Sequence, residues 1–216
     1  MEEKKEPLIV VNFKTYKQGE DVLDLAKSID GADKEIDNEV IVGVQAVDIK
    51  EISNKTDLTV YGQHVDPIKP GRHTGYVAPE AVREKGARGT FLNHSEHALD
   101  KNTIEEAVKR CKEIGLKVML FCASAKEARE LEKLGPDYLV FEPPELVAGE
   151  KSVSEAKPEL IKEVRDSIEG DFLVGAGIKS KKDVDKAVEL GASGIAIASA
   201  ICKAKRPGEA LRRLVD

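Results

Sequence analysis

Three side chains, far apart in the sequence, have the chemistry needed for proton transfer on an anionic substrate. Glu142 follows an apolar run and precedes two prolines, whose rings restrict the backbone, so its carboxylate would be a positioned base. His94 follows a second apolar run, where a neutral imidazole would polarise a carbonyl group. Lys14 follows a third and offers a cation to an anion. Each also has an ordinary alternative, namely a solvated loop acid, a structural histidine or a surface lysine.

His94 lies immediately before Ser95, where a helical turn would begin. The positive N-terminal end of such a turn disfavours protonation of the imidazole. His94 and His97 also have an i, i+3 spacing seen in metal sites, but the glutamate pattern of zinc-protease helices and a third ligand are missing. We therefore expect a neutral histidine and no metal site.

Two short turns made of small residues offer backbone N–H groups to an anion. They are Gly175-Ala176-Gly177 and Ala198-Ser199-Ala200, and each follows an apolar run. Barrel enzymes often hold phosphate at such turns, where the main chain is accessible. Glycine-rich turns are common, so it is the joint position of the two that points to phosphate.

Eight apolar runs precede these residues and predict eight β-strands. Most are rich in β-branched residues and nearly continuously apolar, which is typical of strands covered on both faces. The runs span residues 8–13, 40–44, 59–63, 89–93, 117–121, 137–141, 171–174 and 194–198.

Helical patterns separate the strands and carry start and stop signals. Capping residues or a first-turn proline predict helix starts at Asn102 with Glu105, Ser124 with Glu127, Pro158, and Ser180 with Asp183. Glycines that favour a left-handed backbone predict helix ends at Gly86, Gly115, Gly135 and Gly191. The unit after the second strand is unusually short.

This alternation predicts an α/β fold, a (β/α)₈ barrel, rather than an open sheet of five or six strands. The spacing between strand starts leaves room for a crossover helix each time. We find no linker and expect one domain over residues 1–216. In such a barrel, the residues that follow the strands converge on one face, where the active site lies.

Composition narrows the functional class. The chain has 216 residues and 41% apolar content, without the run of roughly 18 apolar residues that a membrane span needs. Residues 1–7 are too polar for a secretory signal, so we expect a cytoplasmic protein. A net charge of −6 argues against nucleic-acid binding. The cysteines, Cys111, Cys122 and Cys202, lack metal-ligand spacing, and we expect the first two to be packed rather than paired.

At these residues the chain resembles the triosephosphate isomerase family, in particular its short archaeal members. The resemblance covers essentially the whole chain and rests on six motifs in order. These are Asn12-Phe13-Lys14, Gln63-His64-Val65-Asp66-Pro67, His73-Thr74-Gly75, Asn93-His94-Ser95-Glu96, Glu142-Pro143-Pro144-Glu145-Leu146 and Gly175-Ala176-Gly177-Ile178. Any one would be marginal, whereas six at matching strand ends are specific.

The resemblance implies a TIM barrel that interconverts dihydroxyacetone phosphate and glyceraldehyde 3-phosphate through an enediolate, without a cofactor. It makes Glu142 the base, His94 a neutral electrophile and Lys14 a contact to substrate oxygens, with Glu96 in support. A lid over about residues 143–153 would exclude water. The substrate and its phosphate would be bound at Asn12, Lys14, Val147, Ala148, Gly177, Ala198 and Ser199.

The chain departs from the family pattern at three places. The lid tip is Val147-Ala148-Gly149-Glu150 instead of Ile-Gly-Thr-Gly, which puts an acid near a dianion. Ala200 stands where a glycine is often seen, and His97-Ala98 replaces basic residues that often follow the His-Ser-Glu motif. None of these changes removes a catalytic group.

The resemblance also implies a homo-oligomer, either dimer or tetramer, formed through the loop over residues 68–77. Two alternatives stay open, namely another phosphate-binding barrel isomerase and a non-catalytic phosphate-sensing relative. Aminoaldose isomerases use an aspartate at the ends of strands 1 and 5, where this chain has Phe13-Lys14 and Phe121-Cys122. Schiff-base aldolases place a lysine on strand 6, where it has Glu142.

Overall fold

Eight parallel strands close into one barrel in the computed structural model, which describes residues 6–144 and 152–216. The strands are β1 (Leu8–Asn12), β2 (Val40–Val44), β3 (Thr59–Gly62), β4 (Gly89–Leu92), β5 (Lys117–Cys122), β6 (Tyr138–Phe141), β7 (Phe172–Val174) and β8 (Gly194–Ile197). Each pairs with the next, and β1 pairs with β8. The predicted (β/α)₈ TIM barrel is therefore confirmed.

Helices follow every strand and cover the outside of the barrel. They are α1 (Glu20–Asp33), α2 (Ile49–Lys55), α3 (Pro79–Glu84), α4 (Lys101–Ile114), α5 (Ala125–Glu132), α6 (Val153–Ala156), α7 (Pro158–Ser167), α8 (Lys181–Glu189), α9 (Ser199–Cys202) and α10 (Pro207–Arg212). A 3₁₀ turn at Ser95–His97 precedes α4. The unit after β2 is short, as expected, because α2 has only seven residues.

Two apolar layers share the side chains of the strands. Within β1, Val10 belongs to the cluster inside the barrel, and its neighbours Ile9 and Val11 belong to the layer under the helices. This alternation follows from the two-residue period of a strand. Because both faces are covered, every described residue of β1 and β2 is buried, which explains their continuously apolar sequences.

The helix signals are largely confirmed, with one correction. Ser124 and Ser180 cap α5 and α8, Pro158 begins α7, and the four predicted end glycines all have positive φ. The predicted start at Asn102 is wrong. Helix α4 begins at Lys101, because Asp100 accepts a hydrogen bond from the N–H of Thr103 and already caps it.

The three cysteines are buried free thiols. Burial raises the pKa of Cys111 and of Cys202 to about 12, and it raises that of Cys122 as well. They therefore pack as small apolar groups. Among residues 6–144 and 152–216, no helix has the length and apolar character needed to cross a membrane.

Candidate active site

The residues predicted from strand ends meet at one mouth of the barrel, around two adjoining cavities. One cavity of about 200 Å³ is lined by Lys14, Glu142, Gly177 and Ser199, among others. The other, of about 310 Å³, is lined by Lys14, His94 and Glu96, among others. Asn12 and Lys14 line both, so the first strand joins the two halves of the site.

His94 and Glu142 face each other at the centre of this mouth. His94 Nε2 lies 3.2 Å from Glu142 Oε2, and the two side chains are only 8% and 12% exposed. The atoms are close enough for a hydrogen bond, but neither atom makes one within the described part of the chain, so their relative direction is unsuitable. Two buried polar atoms without partners in a cleft are what a substrate would satisfy.

The contacts of His94 define its tautomer. Its Nδ1 accepts a hydrogen bond from the N–H of Glu96 over 3.1 Å, so Nδ1 carries no proton. The remaining proton of a neutral ring is then on Nε2, the nitrogen that lies beside Glu142. The Ser95–His97 turn follows at once, and the edge of the ring packs against Phe121 with centroids 4.9 Å apart. The imidazole is thereby oriented as a hydrogen-bond donor.

Glu142 is held at the end of β6 by its backbone and by the space that a glycine leaves. Its N–H donates to the carbonyl of Cys122 over 2.9 Å. At the end of the neighbouring strand β7, a Cβ at Gly175 would lie 2.7 Å from Glu142 Cγ and would overlap the carboxylate. Gly175 therefore provides the room in which the Glu142 side chain lies.

Lys14 has a strained backbone and a fixed ammonium group. Its φ is +46°, a conformation that non-glycine residues rarely adopt. Its N–H donates to Asn12 Oδ1 over 2.9 Å, and its Nζ donates to Glu96 Oε1 over 2.8 Å. The Lys14 side chain is 13% exposed and that of Glu96 is 58% exposed. Glu96 thus holds the lysine at the mouth and also orients His94 through its backbone.

Gln63, which follows β3, connects the ends of β1 and β2 through its side-chain amide. Sequence reasoning gave it no role. Its Nε2 lies within hydrogen-bonding distance of Gly43 O at 3.1 Å, Lys14 O at 2.9 Å and Asn12 Oδ1 at 3.3 Å. These contacts support the carbonyl of Lys14 itself and the side chain of Asn12, which accepts the N–H of Lys14. The available sequence signals were its place at a strand end and its membership of the motif Gln63-His64-Val65-Asp66-Pro67.

Asn93 is a second residue whose role sequence reasoning missed. Its φ is +58°, and its side chain accepts from the N–H of Leu99 and donates to Phe121 O and to Glu127. Asparagine adopts positive φ more readily than most residues, which was the available signal. Asn93 thereby ties the end of β4, just before His94, to the end of β5.

The turns after β7 and β8 present backbone to the first cavity. Ala176 and Gly177 have φ of +71° and +73°, and Ser199 begins α9. Gly177, Ala198 and Ser199 all line the cavity. The predicted contacts at Val147 and Ala148 lie outside the described residues, as does most of the predicted lid.

Two further lysines, Lys179 and Lys203, line the same cavity. Lys203 Nζ lies 4.5 Å from the centroid of the Tyr16 ring, an arrangement in which the ring face attracts the cation. The cavity that contains the backbone turns is thus also bordered by positive charge, although the chain as a whole is acidic.

His64 and His97 form a ring pair on the rim of the larger cavity. Their centroids are 4.2 Å apart, and His64 Nε2 lies 3.3 Å from Asp66 Oδ1. Burial lowers the pKa of His64, and His97 adds to this effect, while Asp66 opposes it. The His97 ring thus packs against His64 at a tilt of 35°. The described residues contain no group of three or more His, Cys, Asp or Glu that could hold a metal.

This arrangement has the parts of a proton-transfer site. A carboxylate and an imidazole nitrogen lie side by side, a partly buried cation lies at the same mouth, and small-residue turns line the adjoining cavity. A base, a hydrogen-bond donor to a carbonyl oxygen and an anion site together suit abstraction of a proton next to a carbonyl.

Comparison with known proteins agrees with this chemistry. The family model described as triosephosphate isomerase matches residues 7–215. The triosephosphate isomerase of Saccharolobus solfataricus is 43% identical over 209 residues, which cover 94% of this chain and 92% of that protein. Those of Sulfurisphaera tokodaii and Methanocaldococcus jannaschii are 39% and 37% identical, covering 94% and 96% of this chain and 91% and 98% of theirs. The chain therefore belongs to the triosephosphate isomerase family.

Proposed function

We propose that the protein interconverts dihydroxyacetone phosphate and glyceraldehyde 3-phosphate, the reaction of glycolysis and gluconeogenesis. The observation that carries this proposal is the 3.2 Å approach of His94 Nε2 to Glu142 Oε2, both buried and both without a hydrogen-bond partner in the described chain. A substrate bound against both groups would offer a C–H to the Glu142 carboxylate and a carbonyl oxygen to the imidazole.

In this proposal Glu142 removes a proton from one carbon and returns it to the neighbouring carbon. His94 donates its Nε2–H to the oxygen on which negative charge develops, which stabilises the enediolate. The Nδ1 bond from the backbone of Glu96 supports this role, because it leaves the proton on the nitrogen that faces Glu142. Lys14, kept in place by Glu96, adds a positive charge beside the same oxygens.

The phosphate is held in this proposal by backbone N–H groups at Gly177, Ala198 and Ser199, with Lys14 and Asn12 at the border. The cavity of about 200 Å³ that these residues line supports the assignment. The contacts at Val147 and Ala148 are proposed from the family resemblance alone. Closely spaced backbone N–H groups bind anions well, because their partial positive charges converge on one concave site.

We further propose a homo-oligomer formed through the loop over residues 68–77. Tyr76 in this loop is 59% exposed, and Val47, after the neighbouring strand β2, is 84% exposed. Hydrogen bonds from the same protomer fix the two ends of the loop. The N–H of Val77 donates to Asp66 Oδ2 over 2.6 Å, and Arg110 Nε donates to Ile68 O over 3.2 Å. Light scattering of the purified protein and of a Tyr76→Asp variant distinguishes monomer, dimer and tetramer.

A single domain over residues 1–216 and a cytoplasmic location complete the proposal. Pairing of β1 with β8 places nearly the whole chain in one barrel, which supports the single domain. Three buried cysteines that all remain free thiols suit a reducing compartment. Cooperative unfolding in one transition and cell fractionation test these two statements.

A coupled assay of the purified protein in both directions tests the proposed reaction. We expect turnover of both triose phosphates without an added cofactor or metal ion. The two alternatives, a different phosphate-binding isomerase and a phosphate sensor, both require that neither triose phosphate be converted. The family match disfavours them, and the close approach of His94 and Glu142 is unnecessary for mere sensing.

A further inference from the structure

One acid on α8 connects two segments of the chain that flank the proposed phosphate site. Ser152 Oγ donates to Asp183 Oδ1 over 2.5 Å, and Ser154 Oγ donates to the carbonyl oxygen of Asp183 over 3.2 Å. Both serines are only 2% exposed, and their hydroxyl groups lie 3.1 Å apart. Buried hydroxyls need partners, and here Asp183 supplies them.

The second oxygen of the same carboxylate closes the turn after β7. Asp183 Oδ2 accepts from the N–H of Lys179 over 3.1 Å, from the N–H of Ser180 over 3.0 Å and from Ser180 Oγ over 2.8 Å. The bonds to Ser180 form the capping box of α8. The bonds to Ser152 and Lys179 go beyond a cap, because they reach outside the helix start.

This turn contains backbone that needs external support. Ala176 has a φ of +71°, which is costly for a residue with a Cβ, and Gly177 follows at +73°. The N–H of Val153 donates to the carbonyl of Ala176 over 3.2 Å, beside the link from Ser152 to Asp183. Two adjacent links thus hold the strained turn against the segment that enters α6.

We propose that Asp183 is a positioning residue for phosphate binding, which fixes the turn over residues 175–180 so that the backbone of Gly177 faces the substrate phosphate. The proposal rests on the function proposed above. Asp183 also occupies the N–H groups of Lys179 and Ser180, so the phosphate is left with donors nearer the strand end. Fixing a binding loop before the ligand arrives strengthens binding, since less ordering is required on association.

The ionisation of Asp183 agrees with this role. Burial opposes the charged form, but hydrogen bonds from Ser152, from Ser180 and from the N–H of Lys179 outweigh it and lower the pKa of the carboxyl. At neutral pH the group is therefore an acceptor only, which its several donors require. An asparagine at this position would place a donor against some of them.

The test compares two substrates that differ only by the phosphate. In Asp183→Asn we expect the KM for glyceraldehyde 3-phosphate, and the inhibition constant of inorganic phosphate, to rise roughly tenfold to a hundredfold. The slow isomerisation of D-glyceraldehyde, which has no phosphate, should change less than twofold. If activity fell equally with both substrates, Asp183 would act on Glu142 and His94 instead of on the phosphate. If the KM and the inhibition constant of phosphate were unchanged, Asp183 would have no role in binding. Either result overturns the proposal.

Two further variants keep the result interpretable. Asp185→Asn is the matched control, because Asp185 lies on the same helix, is 55% exposed and pairs only with Lys181 among the described residues. It should keep wild-type constants. Ser152→Ala leaves the capping box intact and should shift the phosphate constants in the same direction by a smaller factor, so a poorly folded Asp183→Asn does not end the test.

The outcome is separable from that of the proposed function. If the wild-type protein converts no triose phosphate, the proposed function fails, whereas calorimetric titration with inorganic phosphate still compares wild type with Asp183→Asn. If the wild type is active and both variants at Asp183 and Ser152 bind phosphate as tightly as it does, only the positioning role is wrong.

Discussion

The two sides of the barrel mouth hold their functional groups by different means. On the side of β1 to β4, side chains do the holding, as where Gln63 bonds Asn12 Oδ1 and the carbonyl oxygen of Lys14. On the side of β6 to β8, the site is built from small residues and open backbone, as at Gly175 and Gly177. A cation such as Lys14 must stay in one place, which takes several hydrogen bonds. A carboxylate that moves between two carbons, and a bulky phosphate, instead need space.

Replacing Glu142, the proposed base, should have the largest effect. Glu142→Gln keeps the size of the side chain but removes the basic oxygen, so turnover should fall roughly 10²–10⁴-fold or more, with folding unchanged. Glu130→Gln, at an exposed acid on α5, is the control and should be neutral. Steady-state kinetics and circular dichroism measure both. A Glu142→Gln enzyme that keeps over half of wild-type turnover would contradict the assignment.

Filling the space on the β7 side should have the next largest effect. In Gly175→Ala the new Cβ would overlap the Glu142 carboxylate, so the base must move and kcat should fall by roughly 10²-fold. Gly31→Ala is the control, since a Cβ there meets nothing within 4 Å. If Gly175→Ala turned over substrate like the wild type, space for Glu142 would not limit catalysis.

Removing the Gln63 side chain on the β3 side should have a smaller effect, because Lys14 is also held by Glu96. Gln63→Ala removes the support of Lys14 O and Asn12 Oδ1 while the Lys14–Glu96 pair remains. We expect kcat/KM to fall by roughly 10-fold, about 1.4 kcal/mol. Gln18→Ala, at an exposed glutamine whose side chain bonds only Thr15 O among the described residues, should leave kcat/KM unchanged. A loss as large as that of Gly175→Ala would reverse the contrast between the two sides.

The smallest effect concerns the rim of the β3 side and appears as pH dependence of stability. Burial lowers the pKa of His64, with His97 in support and Asp66 in opposition, so the folded state favours the neutral ring. Stability is then full above about pH 6.5 and falls as the pH drops from there toward the lowered pKa, by at most about 1.4 kcal/mol per pH unit for one proton. Denaturant unfolding of wild type and His64→Gln between pH 5 and 8 measures this. A slope that persists in His64→Gln would assign it to another group.

Sequence reasoning predicted the parts of this site that depend on strand ends. Parallel strands expose their carboxyl ends on one face, so His94, Glu142 and Lys14 could be brought together without any knowledge of packing. It missed what depends on contact between distant segments. Nothing in the sequence around Gly175 reveals that Glu142 lies against it, and Ser152 and Asp183 are 31 residues apart. The cap of α4 was misplaced because two polar residues, Asp100 and Asn102, both suit a helix start.

The pairing of β1 with β8 has a consequence for how the protein is made. Leu8 pairs with Gly194, and the missing side chain there is needed, because a Cβ would overlap the Leu8 carbonyl oxygen. A chain leaving the ribosome cannot close the barrel until this last strand has been synthesised. Until then Lys14 and Ser199, which line one cavity in the finished protein, have no common site. Contacts so distant in sequence form slowly, so a nascent chain acquires the mouth that holds the proposed site only after β8 has been synthesised.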